Sequence, residues 1–458
     1  MRRQGNQADA MAPPHPAHDP RLTTSDPRLT PYDLRLTPTP HPTDGLFRHQ
    51  YGQLVASLTR IFGAQQLDLV EDVVQEALLK ALQQWGHKGL PDNPAGWLFR
   101  VARNGALDAL RRERTLADKA ATLARQLTET FPGPEAALDA DDWGDQLRDD
   151  QLRLMFGCCH PALPREVQIA LTLKTLAGFG VPEIARAFLV PSPTIAQRLV
   201  RARRTIRDRD LSFAMPEADA LPDRLDAVLA VLYLLFNEGY AAHSGPALTR
   251  HDLCAEAIRL GGILAATPTG DHPRVHALLG LFLLQASRLP ARTDSAGGLL
   301  TLAEQDRARW DHRLIGAGMA ALARAAAGPA LTPYHLQAEI AACHALAPTH
   351  ADTDWARILT AYDGLARLDP SPIILLNRAV ALAEVAGGAA GLAEVARLSA
   401  HPALAAYPLA HATLANFHRR LGDTAAARHA YTTALHLTTN DAERHFLARR
   451  LSETPPAP

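Results

Sequence analysis

A turn followed by a strongly basic helix is encoded by Val190-Pro-Ser-Pro-Thr-Ile-Ala-Gln-Arg-Leu-Val-Arg-Ala-Arg-Arg-Thr-Ile-Arg207. Ser192 suits the N-cap of this helix and Pro193 suits its first turn. The preceding segment, Pro182 to Phe188, predicts a shorter helix on the other side of the turn. Together they predict a helix-turn-helix, in which the second helix enters the major groove of DNA. Its inward side would carry Ile195, Leu199 and Ile206.

The outward side of the second helix is basic. From Pro193 to Arg209, six arginines oppose Asp208, which gives a net charge of +5. In a recognition helix, the N-terminal half meets base edges and basic residues further along neutralise phosphates. The candidate DNA-binding residues are Thr194, Gln197, Arg198, Arg201, Arg203 and Arg204.

A second basic segment, Asn93 to Thr115, precedes this motif in the chain. Asn93 suits an N-cap and Pro94 the first helical position. Trp97 and Phe99 flank a row of arginines, and aromatic rings beside arginines suit the binding of unstacked bases. For Trp97, packing in the core is the alternative interpretation. The candidate residues are Trp97, Arg100, Arg103, Asn104, Asp108, Arg111 and Arg112.

The segment from Asp68 to Gln84 predicts an amphipathic helix. Its apolar residues recur at spacings of three and four along one side. Asp72, Gln75 and Glu76 fall on the opposite side. That acidic side is either a solvated face or a docking surface for a basic partner helix.

These motifs resemble, in their order, the DNA-reading modules of an extracytoplasmic-function (ECF) RNA polymerase sigma factor. The strings Glu71-Asp-Val-Val-Gln-Glu-Ala77 and Pro94-Ala-Gly-Trp-Leu98 resemble region 2, and Ala196-Gln-Arg-Leu-Val-Arg-Ala-Arg203 resembles region 4. The resemblance implies that Asp72, Gln75 and Glu76 face the coiled coil of the polymerase β′ subunit. It also implies that Trp97 to Arg112 recognise and open the −10 element, and that the helix-turn-helix reads the −35 element as duplex. Core RNA polymerase and promoter DNA are the implied partners.

The 458 residues predict an all-α protein in six parts. A helical bundle carries region 2, a helix-turn-helix domain carries region 4, and a helical extension with tetratricopeptide-like hairpins follows. The expected parts are a disordered Pro-rich tail at 1–44, region 2 at 45–115, an acidic linker at 116–150, region 4 at 151–210, a helical extension at 211–330 and tetratricopeptide-like repeats at 331–458.

The repeat prediction depends on spacing. Gly387 and Gly422 lie 35 residues apart, close to the tetratricopeptide period of about 34 residues, and Ala427, Tyr431 and Ala434 follow at second-helix positions. Stacked helical hairpins expose a concave surface suited to a peptide or protein ligand. The resemblance extends to a sigma-factor subgroup in which such an extension replaces a separate anti-sigma protein as the control element. Whether it inhibits or activates is open at this point.

Other chemistry is weakly encoded. Four cysteines without CxxC spacing fit a reducing cytoplasm, and the longest apolar run is too short for a membrane span. Cys158-Cys159-His160 invites a metal or redox hypothesis, but a structural role is favoured. A catalytic interpretation would nominate Glu238, His243, Asp252 and Glu256, whereas buried ion pairs explain such residues better. The sequence therefore predicts no enzyme, cofactor or metal.

Two other functions compete with the sigma-factor hypothesis. One is a stand-alone helix-turn-helix regulator with a repeat sensor domain, and the other is an interaction scaffold built on the repeats. Neither gives the Asp72, Gln75 and Glu76 face a task. The ordered pair of basic modules favours the sigma factor.

Overall fold

The computed structural model describes residues 42–112, 140–188, 190–216, 220–240, 249–294, 298–398 and 401–455. Within these ranges the regular elements are helices, apart from one isolated bridge between Thr293 and Leu299. The predicted all-α fold is confirmed there. The predicted tail up to residue 41 and the linker from 116 to 139 lie outside the described residues. None of the described helices is both long and apolar enough to cross a membrane.

Region 2 consists of three helices and a connecting 3-10 turn at Ala64–Gln66. As predicted, the apolar side of the second helix is buried, with Val70, Val74, Ala77 and Ala81 inaccessible to solvent. Asn93 caps the third helix, since its side-chain oxygen accepts a 2.8 Å hydrogen bond from the Gly96 amide. The helices are α1 (Pro42–Phe62), α2 (Leu67–Lys88) and α3 (Pro94–Arg112).

Region 4 follows with α4 (Ala140–Cys158), α5 (Arg165–Thr175), α6 (Val181–Ala187) and α7 (Ser192–Asp208). The predicted end of the linker at residue 150 falls inside α4. The acidic composition of this segment predicts a solvated linker. In the structure, however, the carboxylate of Asp150 is buried and pairs with Arg60 of α1 at 2.6 Å. The prediction that Ser192 is the N-cap is wrong: Ser192 is the first helical residue. The N-cap is Pro191, which has no side-chain group that could form a capping hydrogen bond.

The extension shares one hydrophobic core with both modules. Buried apolar residues form a continuous cluster from Tyr51 in α1 to Ala342. The described part of the extension therefore has no hydrophobic core separate from that of regions 2 and 4. The helices that complete this part are α8 (Leu221–Tyr240), α9 (His251–Ala265), α10 (Pro273–Ala286), α11 (His312–Ala325) and α12 (Pro333–Leu346).

The last part of the chain is a succession of helices that pack mainly on their sequence neighbours. Gly387 and Gly422 both adopt positive φ, +90° and +84°, at the turns that join paired helices. The buried apolar residues of these helices form three small hydrophobic cores rather than one large core. This arrangement is that of stacked hairpins, while membership of the tetratricopeptide class stays a prediction. The helices are α13 (Trp355–Leu368), α14 (Pro372–Ala386), α15 (Gly388–Leu398), α16 (Pro402–Ala405), α17 (Pro408–Arg420), α18 (Thr424–Leu437) and α19 (Asp441–Glu453).

Candidate nucleic-acid interface

The second helix of the helix-turn-helix, α7, buries the residues that its periodicity predicts. Ile195, Leu199, Ala202 and Ile206 are at most 2% exposed. Gln197, Arg201 and Arg204 are exposed, and Thr194 is partly exposed near the N-terminal end. The side chains that project from α7 are therefore polar and basic, as a surface that reads duplex DNA requires.

Arg203 does not project freely from α7. Its Nε lies 2.9 Å from Asp68 of α2, and its Nη2 donates to the carboxylate of Glu71. Arg207 also pairs with Asp68, at 3.0 Å. Two arginines of the recognition helix are thus bound to carboxylates of region 2. A phosphate that contacted Arg203 would have to displace both carboxylates.

Glu71 is the most enclosed member of this ion-pair cluster, at 4% exposure. Burial raises the pKa of its carboxyl group above the usual range, against the opposing effect of Arg203. A carboxylate at this depth needs a cation close by, because burial of an unpaired charge costs several kcal/mol. Sequence reasoning missed this pairing, since 132 residues separate the partners and no local pattern links them.

Arg198 is engaged within region 4 itself. Its Nη2 lies 2.7 Å from the carboxylate of Glu166 at the start of α5, and its side chain is 27% exposed. This ion pair is partly exposed, so it is worth no more than about 1 kcal/mol and a base edge could replace it. Arg201, by contrast, is exposed close by on the same helix.

The basic side of α3 is accessible. Arg100, Asn104, Asp108, Arg111 and Arg112 are exposed, and Arg103 is partly exposed. Asp108 and Arg111 form an ion pair of 3.2 Å within the helix. A net positive surface along one helix matches a binding site for nucleic-acid phosphates.

The two aromatic residues of this segment have different positions. Phe99 is 8% exposed and belongs to the region 2 core, so the prediction that it lies beside the basic row is wrong. It follows Leu98 and precedes Ala102 by three positions, which places it on the buried side of α3. Trp97 is only partly buried and packs edge-on against Trp85, with ring centroids 5.5 Å apart.

The predicted polymerase-facing surface lies on the exposed side of α2. Asp72, Gln75 and Glu76 are exposed, and Glu76 makes only a 3.8 Å contact with Lys80. Leu79 and Leu82 are also exposed on this helix, by 59% and 53%. Exposed leucines beside carboxylates form a mixed apolar and acidic surface, which suits docking of a basic amphipathic helix.

Regions 2 and 4 pack tightly against each other. A Cβ on Gly52 of α1 would lie 2.1 Å from the backbone oxygen of Leu176, which follows α5. Gly178, at φ +65°, packs against the ring of Tyr51. The absence of a side chain at Gly52 lets the two modules approach at backbone contact distance.

The extension in turn contacts region 4. Arg250, which precedes α9, pairs with Glu183 of the helix-turn-helix at 2.9 Å and lies over the ring of Phe179. Arg224 of α8 donates a 2.9 Å hydrogen bond to the backbone oxygen of Phe156. The extension therefore contacts both α6, the first helix of the helix-turn-helix, and α4, the first helix of region 4.

Neither the catalytic nor the metal interpretation gains support from the described residues. Glu256 forms a 2.7 Å ion pair with Arg259, while His243 and the side chain of Asp252 lie outside the described part. Burial raises the pKa of the Cys158 thiol to about 12, and Cys159 is buried beside it. Among the described residues, no three His, Cys, Asp or Glu side chains are grouped as a metal site.

Comparisons with known proteins agree with this geometry. The models "Sigma-70 region 2" and "Sigma-70, region 4" match residues 46–115 and 153–206. The RNA polymerase sigma-H factor of Pseudomonas aeruginosa is 30% identical over 149 residues, which are 32% of this chain and 76% of that protein. The ECF RNA polymerase sigma-E factor of Escherichia coli K12 is 30% identical over 143 residues, 31% of this chain and 73% of that protein. The chain belongs to the ECF class of RNA polymerase sigma factors.

As a sigma factor it is a transcription initiation factor and not an enzyme, and core RNA polymerase and promoter DNA are its partners. One family model matches within the extension, and one relative matches most of the chain. Residues 224–326 match a family of unknown function, DUF6596. An uncharacterized protein of Rhizobium meliloti (strain 1021) is 39% identical over 409 residues, 87% of this chain and 92% of that protein. No solved structure matches the chain.

Proposed function

We propose that this sigma factor is controlled by its own extension, which holds region 4 against region 2 in the free protein. The observation that carries the closed arrangement is the Arg203 cluster, and the Arg250–Glu183 ion pair connects the extension to it. A residue expected to contact −35 phosphates is instead paired with Asp68 and Glu71 of the module expected to open the −10 element.

Promoter geometry makes this arrangement incompatible with simultaneous binding. About 25 base pairs separate the −10 and −35 elements, which corresponds to about 85 Å along duplex DNA. Two modules in direct contact cannot span that distance. Initiation therefore requires region 4 to leave region 2, and each contact that stabilises the closed arrangement opposes initiation.

The individual residue roles follow from the exposed surfaces. Asp72, Gln75 and Glu76, with Leu79 and Leu82, would receive the β′ coiled coil in the cytoplasm. Arg100, Asn104, Asp108, Arg111 and Arg112 would contact the −10 region, with Arg103 and Trp97 beside them. Thr194, Gln197, Arg198 and Arg201 would read −35 bases, and Arg203 and Arg204 would contact phosphates after opening. The concave face of the repeats would bind the peptide or protein that triggers release.

Run-off transcription with purified core polymerase tests the proposal. Arg250→Gln removes the ion pair with Glu183, together with a 4.0 Å contact to Glu238, without changing any residue assigned to DNA or polymerase. It should lower the protein concentration that gives half-maximal initiation. Arg313→Gln, on an exposed arginine of α11, is the matched control. A variant that initiates no better than wild type would contradict control by this contact, and absence of initiation by every form would contradict the site assignments.

A further inference from the structure

Two partly buried arginines lie against one buried tryptophan where the extension meets the repeats. The guanidinium carbon of Arg307 lies 4.3 Å from the ring centroid of Trp310, and that of Arg288 lies 5.3 Å from it. Trp310 is 3% exposed, and its segment is fixed by a 2.9 Å hydrogen bond from the Asp311 amide to the Ser287 oxygen. Cation–π contact stabilises each arginine but leaves its charge uncompensated.

No carboxylate balances this charge in the part of the chain that the structure describes. Arg288 donates to the neutral side-chain oxygens of Gln305 and Gln285, each at 3.3 Å. Arg307 donates through Nη1 to the backbone oxygens of His344 and Ala347. Burial lowers the pKa of both arginines, and Arg288 adds to the shift of Arg307. Buried charges in proteins are ordinarily paired, so this cluster lacks its expected counterion.

Several hydrogen-bonding groups of the cluster also lack a partner among the described residues. They are Nε and Nη2 of Arg307, Nε1 of Trp310 and Nδ1 of His344. His344 is 7% exposed, and its pKa is lowered to about 3 by burial first and then by Arg288 and Arg307. It is therefore a neutral imidazole at physiological pH, and one tautomer offers Nδ1–H as a further donor.

We propose that Arg288, Arg307, Trp310 and His344 form a binding site for an oxyanion, the phosphate or carboxylate group of a small molecule. Guanidinium groups bind phosphate and carboxylate oxygens through strong charge-assisted hydrogen bonds. The bound group would supply the missing negative charge and accept from the unpartnered donors. Each unsatisfied group would then have a partner, as is usual in protein interiors.

A cavity beyond these four residues, which do not themselves line it, has room for the rest of such a molecule. The His344 ring packs edge-on against Trp355, with centroids 5.3 Å apart. Trp355 and His350 line a cavity of about 670 Å³, together with residues of the repeat helices. This volume lies in the range of small-molecule sites, about 300–1,000 Å³. The segment from Thr301 to Glu304 lines the cavity on the extension side.

The effect of oxyanion binding on initiation rests on the proposed control function, but binding itself can be measured without polymerase. Thermal unfolding of the full chain would be followed in potassium phosphate, potassium succinate and potassium chloride at equal ionic strength. At least one of the two oxyanions should raise the unfolding midpoint over chloride by about 3 °C or more, with saturation. Arg307→Gln should abolish that difference, and Trp310→Phe, which keeps the stacked ring but removes the N–H donor, should reduce it. Arg313→Gln, whose side chain is 73% exposed, should retain it.

The outcomes separate the sources of the ligand. A rise in phosphate alone assigns the site to a phosphorylated molecule, and a rise in succinate as well admits carboxylates. The proposal is overturned if neither salt raises the midpoint, or if Arg307→Gln keeps the full rise. Should Arg307→Gln fail to fold, an unchanged half-saturating concentration in Trp310→Phe would overturn it. Run-off transcription is a separate experiment, so failure of control and failure of binding are distinguishable.

Discussion

Gly52 is the position where one added methyl group most directly opposes the contact between regions 2 and 4. Its Cβ would lie 2.1 Å from the Leu176 oxygen and 3.1 Å from the Leu176 carbonyl carbon. Both are backbone atoms, so no side-chain rotation relieves the clash. Gly52→Ala must therefore displace α1 from region 4 by more than about 1 Å, the shortfall from ordinary van der Waals contact.

The magnitude follows from the general cost of overpacking. Forcing an extra carbon into a packed contact costs about 1–3 kcal/mol, and this cost applies only to the closed arrangement. Alanine also favours helix over glycine by about 1 kcal/mol, but equally in the open and closed forms. At about 1.4 kcal/mol per tenfold, the closed-to-open ratio falls by a factor of about 5 to 150. If only the open form initiates, the half-maximal concentration falls by up to that factor.

The assay is run-off transcription over a concentration series, with Gly86→Ala as the control. Gly86 lies on α2, and a Cβ added there would meet no atom within 4 Å, so it tests the same substitution without the clash. Gly52→Ala should initiate at lower concentration than wild type, and Gly86→Ala should match wild type. Equal half-maximal concentrations for Gly52→Ala and wild type would refute the reasoning, as would a parallel gain in Gly86→Ala.

Three further outcomes are expected. Arg204→Ala should weaken binding to −35 duplex and lower the salt dependence of binding by about one phosphate contact, measured by fluorescence anisotropy over a salt series; an unchanged slope would argue against a phosphate role. Asp72→Lys with Glu76→Lys should reduce association with core polymerase while leaving the unfolding midpoint within about 2 °C, since both side chains are exposed; retained core affinity would contradict the docking assignment. Glu183→Gln should resemble Arg250→Gln in initiation, and the double variant should add little, because both single changes remove the same Arg250–Glu183 ion pair.

Much of the fold is predictable, because hydrophobic periodicity indicates where helices form and which of their sides are buried. Periodicity places Ile195, Leu199 and Ile206 on the buried side of α7, and Asp72, Gln75 and Glu76 on the exposed side of α2, where the structure has them. Local capping at Asn93 is equally readable, since the cap and its partner are three residues apart. Each of these features depends on neighbours within one or two helical turns.

The contacts between modules are not predictable in the same way. The position of Arg203 on the recognition helix suggests a phosphate contact, and nothing near it in sequence indicates Glu71 as its partner. Composition is also misleading for the acidic run that ends at Asp150, where burial and pairing with Arg60 stabilise a helix rather than a linker. Nearby arginines suggest an accessible Phe99, whereas the phase of α3 decides its burial. Tertiary partners far apart in sequence leave no local pattern.

The central claim is that region 4 rests on region 2 in the free protein and separates from it on the promoter. Spin labels at Gln83→Cys on α2 and Arg209→Cys after α7 would report the distance between the modules. Both sites are exposed, whereas the four native cysteines are buried and react poorly. We predict a short, narrow distance distribution for the free protein and an increase of several tens of ångströms with core polymerase and promoter DNA, toward the separation of about 85 Å between the two elements. The same distribution in both states would contradict the account.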